Sequence, residues 1–252
     1  MTKVLLSIEN AIATITLNFP EKHNILNPDA ILMLSQAYKS ALHQAEAHVI
    51  ILKANGKHFC AGADLSHMLA MGNAAFEENL EDAKKLAELL YLIYASEKPT
   101  IAYVQGNVRG GGLGLFATHD IVIAEKNATF SFTEVKLGLL PAVISPFILK
   151  RMTLQSAKIK MLTTEVFTAE EALHLQLIDH ICNDTEDFSH ALTMAAQLAA
   201  YPTAALQKTK QWLHTLKPIT KTQIHEAAHQ LAEARASASA KKIIAAFLKK
   251  ML

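Results

Sequence analysis

Two glycine-bearing loops hold the residues whose types and spacing suit chemistry best. The first runs Gly56-Lys57-His58-Phe59-Cys60-Ala61-Gly62-Ala63-Asp64-Leu65, after a predicted strand. The second runs Gly106-Asn107-Val108-Arg109-Gly110-Gly111-Gly112-Leu113-Gly114, after another strand and opening a helix. Consecutive glycines reach φ values closed to other residues and let a ligand approach the main chain. A helix that opens on them offers free N–H groups and a partial positive charge, which favours negative charge developing on a bound group. Tight helix-on-sheet packing would use the same triplet, and the loops alone leave both readings open. Two nucleotide readings fall. Gly110, Gly112 and Gly114 lack the Gly-x-Gly-x-x-Gly spacing of a dinucleotide site, and no Gly-Lys-Ser/Thr follows as in a phosphate loop.

Other reactive side chains read as structural. Cys60 beside the first loop is expected to be a small buried residue and not a nucleophile. His225 and His229 stand four apart with no third ligand in view, so no metal is expected. Met68 to Met71 reads as a pliable apolar wall.

Composition narrows the classes. The 252 residues are 51% apolar and 19% charged, enough to bury a sizeable core. The 24 basic and 23 acidic residues give a net charge of +1, without the basic surplus of a nucleic-acid binder. Two cysteines in unrelated contexts make no disulfide framework and suit a reducing cytoplasm. Met1 to Asn10 has no signal-peptide pattern, and no apolar run reaches the roughly 20 residues of a bilayer span. A cytoplasmic protein without membrane contact is the expectation.

The elements that must position the loops follow from periodicity. Val4, Leu6 and Ile8 alternate, Glu9-Asn10 turns, and Ile12, Ile15 and Leu17 resume, which predicts a hairpin. Asn27-Pro28-Asp29 marks a helix start, and Ile31, Leu34, Tyr38 and Leu42 carry the helical spacing to about Ala47. Val49 to Leu52 is a continuous apolar run, as in a strand covered on both faces. Helix Phe76 to Ser96, strand Thr100 to Val104, a helix from Gly112 and strand Ile121 to Ala124 repeat the order. Strand and helix in alternation predict an α/β core with right-handed crossovers. After about Asp184 the chain becomes Ala- and Lys-rich, so a core over 1–190 and a helical region over 191–252 are expected.

Four motifs in this order resemble the crotonase (enoyl-CoA hydratase/isomerase) superfamily, and the likeness runs along nearly the whole chain. Phe19-Pro20-Glu21-Lys22-His23-Asn24 resembles its CoA-contacting turn, and Phe59 to Leu65 and Gly106 to Gly112 its two oxyanion loops. Phe130 to Pro141, with Thr133-Glu134-Val135-Lys136-Leu137-Gly138, resembles the segment bearing a catalytic glutamate. The ending Ala246-Phe247-Leu248-Lys249-Lys250 is similar to its C-terminal helix.

The resemblance implies a crotonase-like α/β fold, a (ββα)n superhelical core with a C-terminal helical region that joins homotrimers or dimers of trimers. It implies an acyl-CoA thioester as substrate and no cofactor, coenzyme A being part of that substrate. Carried over by position, the N–H groups of Ala63 and Gly111 meet the thioester oxygen, and Glu134 is the acid/base. Apolar neighbours such as Val135, Leu137 and Leu139 would raise its pKa toward neutrality. Lys22, His23, Ala61, Asp64, Leu65, Gly110 and Gly114 fall at substrate positions, with Phe247 and Lys250 closing over the adenosine end from a neighbouring subunit.

One position departs from the pattern. Two-glutamate hydratases carry a second glutamate two residues after the glycine triplet, and here that residue is Gly114. With Leu139 to Pro146, this is most similar to the methylglutaconyl-CoA hydratase branch, whose substrates carry a distal carboxylate. Arg109 is a candidate for that carboxylate, for a CoA phosphate or for a subunit contact. The expected activity is enoyl-CoA hydration in fatty acid or branched-chain amino acid breakdown. Double-bond isomerisation and a non-catalytic acyl-CoA-binding paralogue are the alternatives.

Overall fold

The computed structural model describes residues 3–182 and 187–250. The opening hairpin forms as alternation predicts: β1 (Val4–Glu9) pairs antiparallel with β2 (Ile12–Leu17), Glu9 opposite Ile12. Its turn is Asn10-Ala11, one residue later than expected, with φ of 50° and 63°. Positive φ at both central residues gives the turn the hand that strand twist requires. Helix α1 (Pro28–His43) starts where Asn27 and Pro28 say, with Asn27 Oδ1 accepting the Ala30 N–H at 2.9 Å. It stops short of Ala47. Buried Lys98 donates from Nζ to the carbonyls of Ala41 and Gln44 at 2.8 and 2.7 Å, a cation at the negative end of the helix.

β3 (Val49–Ala54), α2 (Leu65–Asn73), α3 (Phe76–Tyr94) and β4 (Thr100–Val104) follow, then β5 (Asn107–Arg109), α4 (Gly111–Ala117), β6 (Ile121–Glu125) and β7 (Thr129–Ser131). After these come α5 (Ser145–Arg151), α6 (Leu154–Thr163), β8 (Phe167–Thr168), α7 (Ala169–His174) and β9 (His180–Cys182). Helices α8 (Asp187–Ala199), α9 (Thr203–Leu216), α10 (Lys221–Ala236) and α11 (Ala238–Lys249) complete the chain. The composition change near Asp184 falls outside the described residues.

The main sheet has the order β1-β2-β3-β4-β6-β9 and is parallel from β2 onward. A smaller sheet, β5-β7-β8, branches from it between β4 and β6 in the chain. β3 shows why its run is apolar throughout. Ile50 and Leu52 join the core that includes Leu34 and Leu90 of α1 and α3, while Val49 and Ile51 join Ala191 and Ala195 of α8 on the other face. Side chains that alternate between two covered faces leave no polar position. Helix α10 lies against α3, and α11 packs on α2 and on the turn that follows β7. No helix among the described residues is long and apolar enough to cross a membrane.

Candidate active site

The first loop is held from both sides by main-chain bonds. Leu26 forms a parallel bridge with Ala63: its N–H donates to Gly62 O at 2.8 Å, and the Asp64 N–H donates to Leu26 O at 3.1 Å. In such a bridge the partners flanking Ala63 face Leu26, so the N–H of Ala63 itself points to the opposite edge. Asn24, with φ of 54°, fastens the preceding turn to the same loop; its side chain donates to Asn55 O and His58 O, both at 2.9 Å.

The second loop is stitched to the first. Cys60 and Val108 bridge in parallel, and the Arg109 N–H donates to Cys60 O at 3.1 Å. β5 also pairs with β7, and the Gly110 N–H donates to Ser131 O at 3.1 Å. Gly110 then turns the chain into α4 at φ 48°, ψ −122°, a conformation closed to L side chains. Gly112 is needed for proximity, because a Cβ there would lie 2.8 Å from Cys60 O. Gly111 opens the helix, so its N–H has no intrahelical acceptor. Among the described residues neither the Ala63 nor the Gly111 N–H has a main-chain acceptor, while Asp64 and Gly110 beside them do.

Glu134 arrives through β7. Three residues after Ser131 the chain enters a short 3₁₀ turn, Glu134–Leu137, closed by Gly138 at φ 71°. Pairing of β5 with β7 therefore brings the Glu134 carboxyl group to the glycine loop: a Cβ on Gly110 would lie 3.2 Å from Oε1. Oε2 is buried without a hydrogen-bond partner. Burial pushes the Glu134 pKa up to about 7, opposed in part by the backbone N–H groups of Glu134 and Thr133.

Ala63, Gly111 and Glu134 face one cavity of about 840 Å³, a size suited to a cofactor-scale ligand. Lys22, His23, Ala61, Asp64, Leu65, Arg109, Gly110 and Phe247 line it as well. Met68 joins Leu86, Leu139, Val143, Ile144 and Leu231 in an apolar wall.

Several expectations need correction. Gly114 does not line the cavity. It is buried under Ile144, and a Cβ there would stand 2.1 Å from Ile144 Cγ2, so packing fixes the glycine and leaves no room for a carboxylate. Lys250 is exposed just past the end of α11 and does not line the cavity either. Within its own chain Phe247 does line the cavity, where α11 folds back on α2 and on the Glu134 turn. Asp64 uses its carboxylate to cap α2, accepting from the N–H groups of Ser66 and His67 at 2.9 and 3.2 Å. Arg109 spends Nη1 on Val108 O and Thr129 O, both at 2.8 Å, and Nη2 on Thr129 Oγ1 at 3.1 Å. Those bonds direct its fork to strand carbonyls and argue against a role in gripping a carboxylate.

The reading of Cys60 agrees with the structure: it is buried, and burial pushes its thiol up to about 12. Asp120 accepts from Thr100 and Lys210, a structural role. No local pattern points to Arg235, a buried cation in the cavity wall, since its partner Asp82 lies far away in the chain. Another feature was visible and passes unused: His225-Glu226-Ala227-Ala228-His229 on α10 has the His-Glu-x-x-His spacing of a zinc-protease helix. Among the described residues no group of His, Cys, Asp and Glu side chains is placed to hold a metal ion. His229 instead meets the ring of Phe76 edge-on.

Known proteins resemble the chain along most of its length. Residues 7–251 match the family described as enoyl-CoA hydratase/isomerase. The 2,3-dehydroadipyl-CoA hydratase of Escherichia coli is 31% identical over 214 residues, 84% of this chain and 82% of that protein. An enoyl-CoA hydratase structure from Shewanella pealeana is 34% identical with a TM-score of 0.82, covering 98% of this chain and 94% of that one. One from Bacillus halodurans is 26% identical with a TM-score of 0.91, covering 97% and 99%. A strand-built pair of loops, a buried glutamate and the match along nearly the whole sequence lead to one conclusion: the chain belongs to the enoyl-CoA hydratase/isomerase family, with the crotonase fold.

Proposed function

We propose that this enzyme adds water across the double bond of an enoyl-CoA thioester, with the N–H groups of Ala63 and Gly111 as oxyanion donors and Glu134 as the acid/base. The observation that carries the reading is the Glu134 carboxyl group beside Gly110, in the cavity that Ala63 and Gly111 also line. Water attacks the β-carbon, Glu134 takes a proton from it, and the electron pair of the double bond moves to the thioester oxygen. Two preorganised donors meet that charge as it forms. The enolate then collapses, the α-carbon takes a proton back from Glu134, and the net change is addition of H and OH. A carboxyl poised near pH 7 suits both halves of this exchange.

Lys22, His23 and Ala61 are proposed to hold the CoA portion, with Phe247 closing over it. Exposed Leu154 and Leu162 of α6 and Trp212 and Leu216 of α9 support self-association into the expected trimer or dimer of trimers. Glu134 as a single acid/base equally supports the isomerase reading, since one glutamate can carry a proton between two carbons.

Absorbance separates the possibilities. Hydration of crotonyl-CoA removes the conjugated enoyl signal, and isomerisation of a non-conjugated substrate creates it. Glu134→Gln is expected to abolish turnover while CoA-ester binding persists. Near-normal turnover in that variant removes Glu134 from the mechanism, and binding without either signal in the native protein means a paralogue without catalysis.

A further inference from the structure

The cavity contains a cation that the reaction just described does not use. Arg235, in the last turn of α10, is 4% exposed and still lines the cavity, among Met68, Leu86 and Leu231. Its position is fixed by the fold. A Cβ on Gly72 would stand 2.4 Å from Arg235 O, so α2 admits the end of α10 only over a glycine, and Asn79 Nδ2 donates to Ala232 O at 2.8 Å one turn earlier. The guanidinium is half satisfied. Nη1 donates to Asp82 Oδ2 at 2.7 Å, and Nε is buried without any acceptor. Asp82 is shared, with His67 Nε2 2.7 Å from its other oxygen.

An unpaired donor of this kind in an apolar wall costs folding free energy unless a ligand atom answers it. The thioester end of a substrate is claimed by the two loops and Glu134. The apolar wall of α2, α3 and α10 suits the acyl chain, and Arg235 sits where that wall turns cationic. Arg109, the other arginine lining the cavity, already donates from both Nη1 and Nη2 to Val108 and Thr129.

We infer that Arg235 is a specificity residue: its free guanidinium edge receives a carboxylate at the far end of the acyl chain, so the substrates are enoyl-CoA thioesters of dicarboxylic acids. This rests on the hydratase reading and refines it. A planar guanidinium matches the two oxygens of a carboxylate. Asp82, itself paired with His67, holds Nη1 of a residue that lines the cavity.

The test compares 2-pentenoyl-CoA with glutaconyl-CoA, which share five acyl carbons and differ in a terminal methyl against a carboxylate. The native protein is expected to favour glutaconyl-CoA in kcat/KM, and Arg235→Met to move the ratio toward pentenoyl-CoA by about 10- to 100-fold. Equal kcat/KM for the two in the native protein, or an equal loss on both in the variant, overturns the inference. Arg235→Met strands the Asp82 carboxylate, so Asp82→Asn/Arg235→Met is measured beside it, with the same ratio shift expected. If neither ester is hydrated, the hydratase reading fails first, and calorimetry still decides on Arg235. Glutaryl-CoA must then bind the native protein more tightly than valeryl-CoA, and equal affinities reject the carboxylate site.

Discussion

The main chain of Gly110 runs against the carboxyl group of Glu134, so close that a β-carbon would stand 3.2 Å from Oε1. The proposed acid/base therefore reaches the substrate over a residue that has no side chain. The same contact shields the carboxyl from water, in keeping with a pKa raised to about 7.

That shift makes a paired prediction for pH. The proton on Glu134 is held more tightly in the folded chain than in the unfolded one, so folding stability falls as pH rises from about 4.5 to about 7 and then levels. Glu134→Gln removes this loss. Its melting temperature should pull ahead of the native protein across that window, by a stability gain of about 1–3 kcal/mol at the alkaline limit. Hydration by the native protein should rise through an inflection near pH 7, because water attack needs the carboxylate. Parallel melting curves at every pH would mean that Glu134 ionises freely.

The role of Gly111 can be isolated by exploiting its place at the first position of α4. Proline is favoured at that position of a helix; it removes the N–H and sets a ring carbon in its place. Gly111→Pro should melt close to the native temperature and lose roughly 10²–10³ in kcat. Gly111→Ala keeps the donor, and its Cβ would make an ordinary 3.4 Å contact with Leu26 Cδ1, so it should retain most activity. Equal rates in the two variants would show that this amide meets no developing charge.

Gly114→Glu should not create a two-carboxylate hydratase. The new Cβ would enter Ile144, and the charge would be buried, so a destabilisation of about 3 kcal/mol or more is expected, with no gain on crotonyl-CoA. Denaturant melts and the absorbance assay read both effects. A stable variant with faster crotonyl-CoA hydration would mean that Ile144 yields easily.

Arg109→Ala removes the bonds to Val108 O, Thr129 O and Thr129 Oγ1 that tie β5 to β7. Stability should drop by about 1–2 kcal/mol. Rates with pentenoyl-CoA and glutaconyl-CoA should fall by the same factor, since the loop that carries Gly111 loosens for any substrate. A loss confined to glutaconyl-CoA would return the carboxylate role to Arg109.

Sequence spacing was informative wherever the cause is local. The Asn27-Pro28 helix start, the Thr100 to Val104 strand and the double-covered β3 are read from neighbours in the chain, and they stand in the fold. What escaped depends on residues far apart. Gly114 looks like a missing catalytic group until Ile144 is seen filling the space. Arg235 looks like an ordinary charge at a helix end until α3 brings Asp82 to it and the cavity opens beside it. Asp64 is a local exception: it sits in a loop that suggests ligand binding, yet its side chain answers the N–H groups of Ser66 and His67, two and three residues on. That Phe247 lines the cavity of its own chain depends on how α11 folds back, and no local pattern encodes that.

The bridges Leu26–Ala63 and Cys60–Val108 have a consequence for how such a protein can change over time. The Ala63 amide, set by strand pairing, is carried by any residue but proline, so drift in that side chain leaves the donor in place. The walls have no such immunity: Met68, Leu86, Leu231 and Arg235 are all ordinary helical side chains. Retuning for a new acyl group can therefore proceed one helix face at a time, while the electrostatics around the thioester stay inherited.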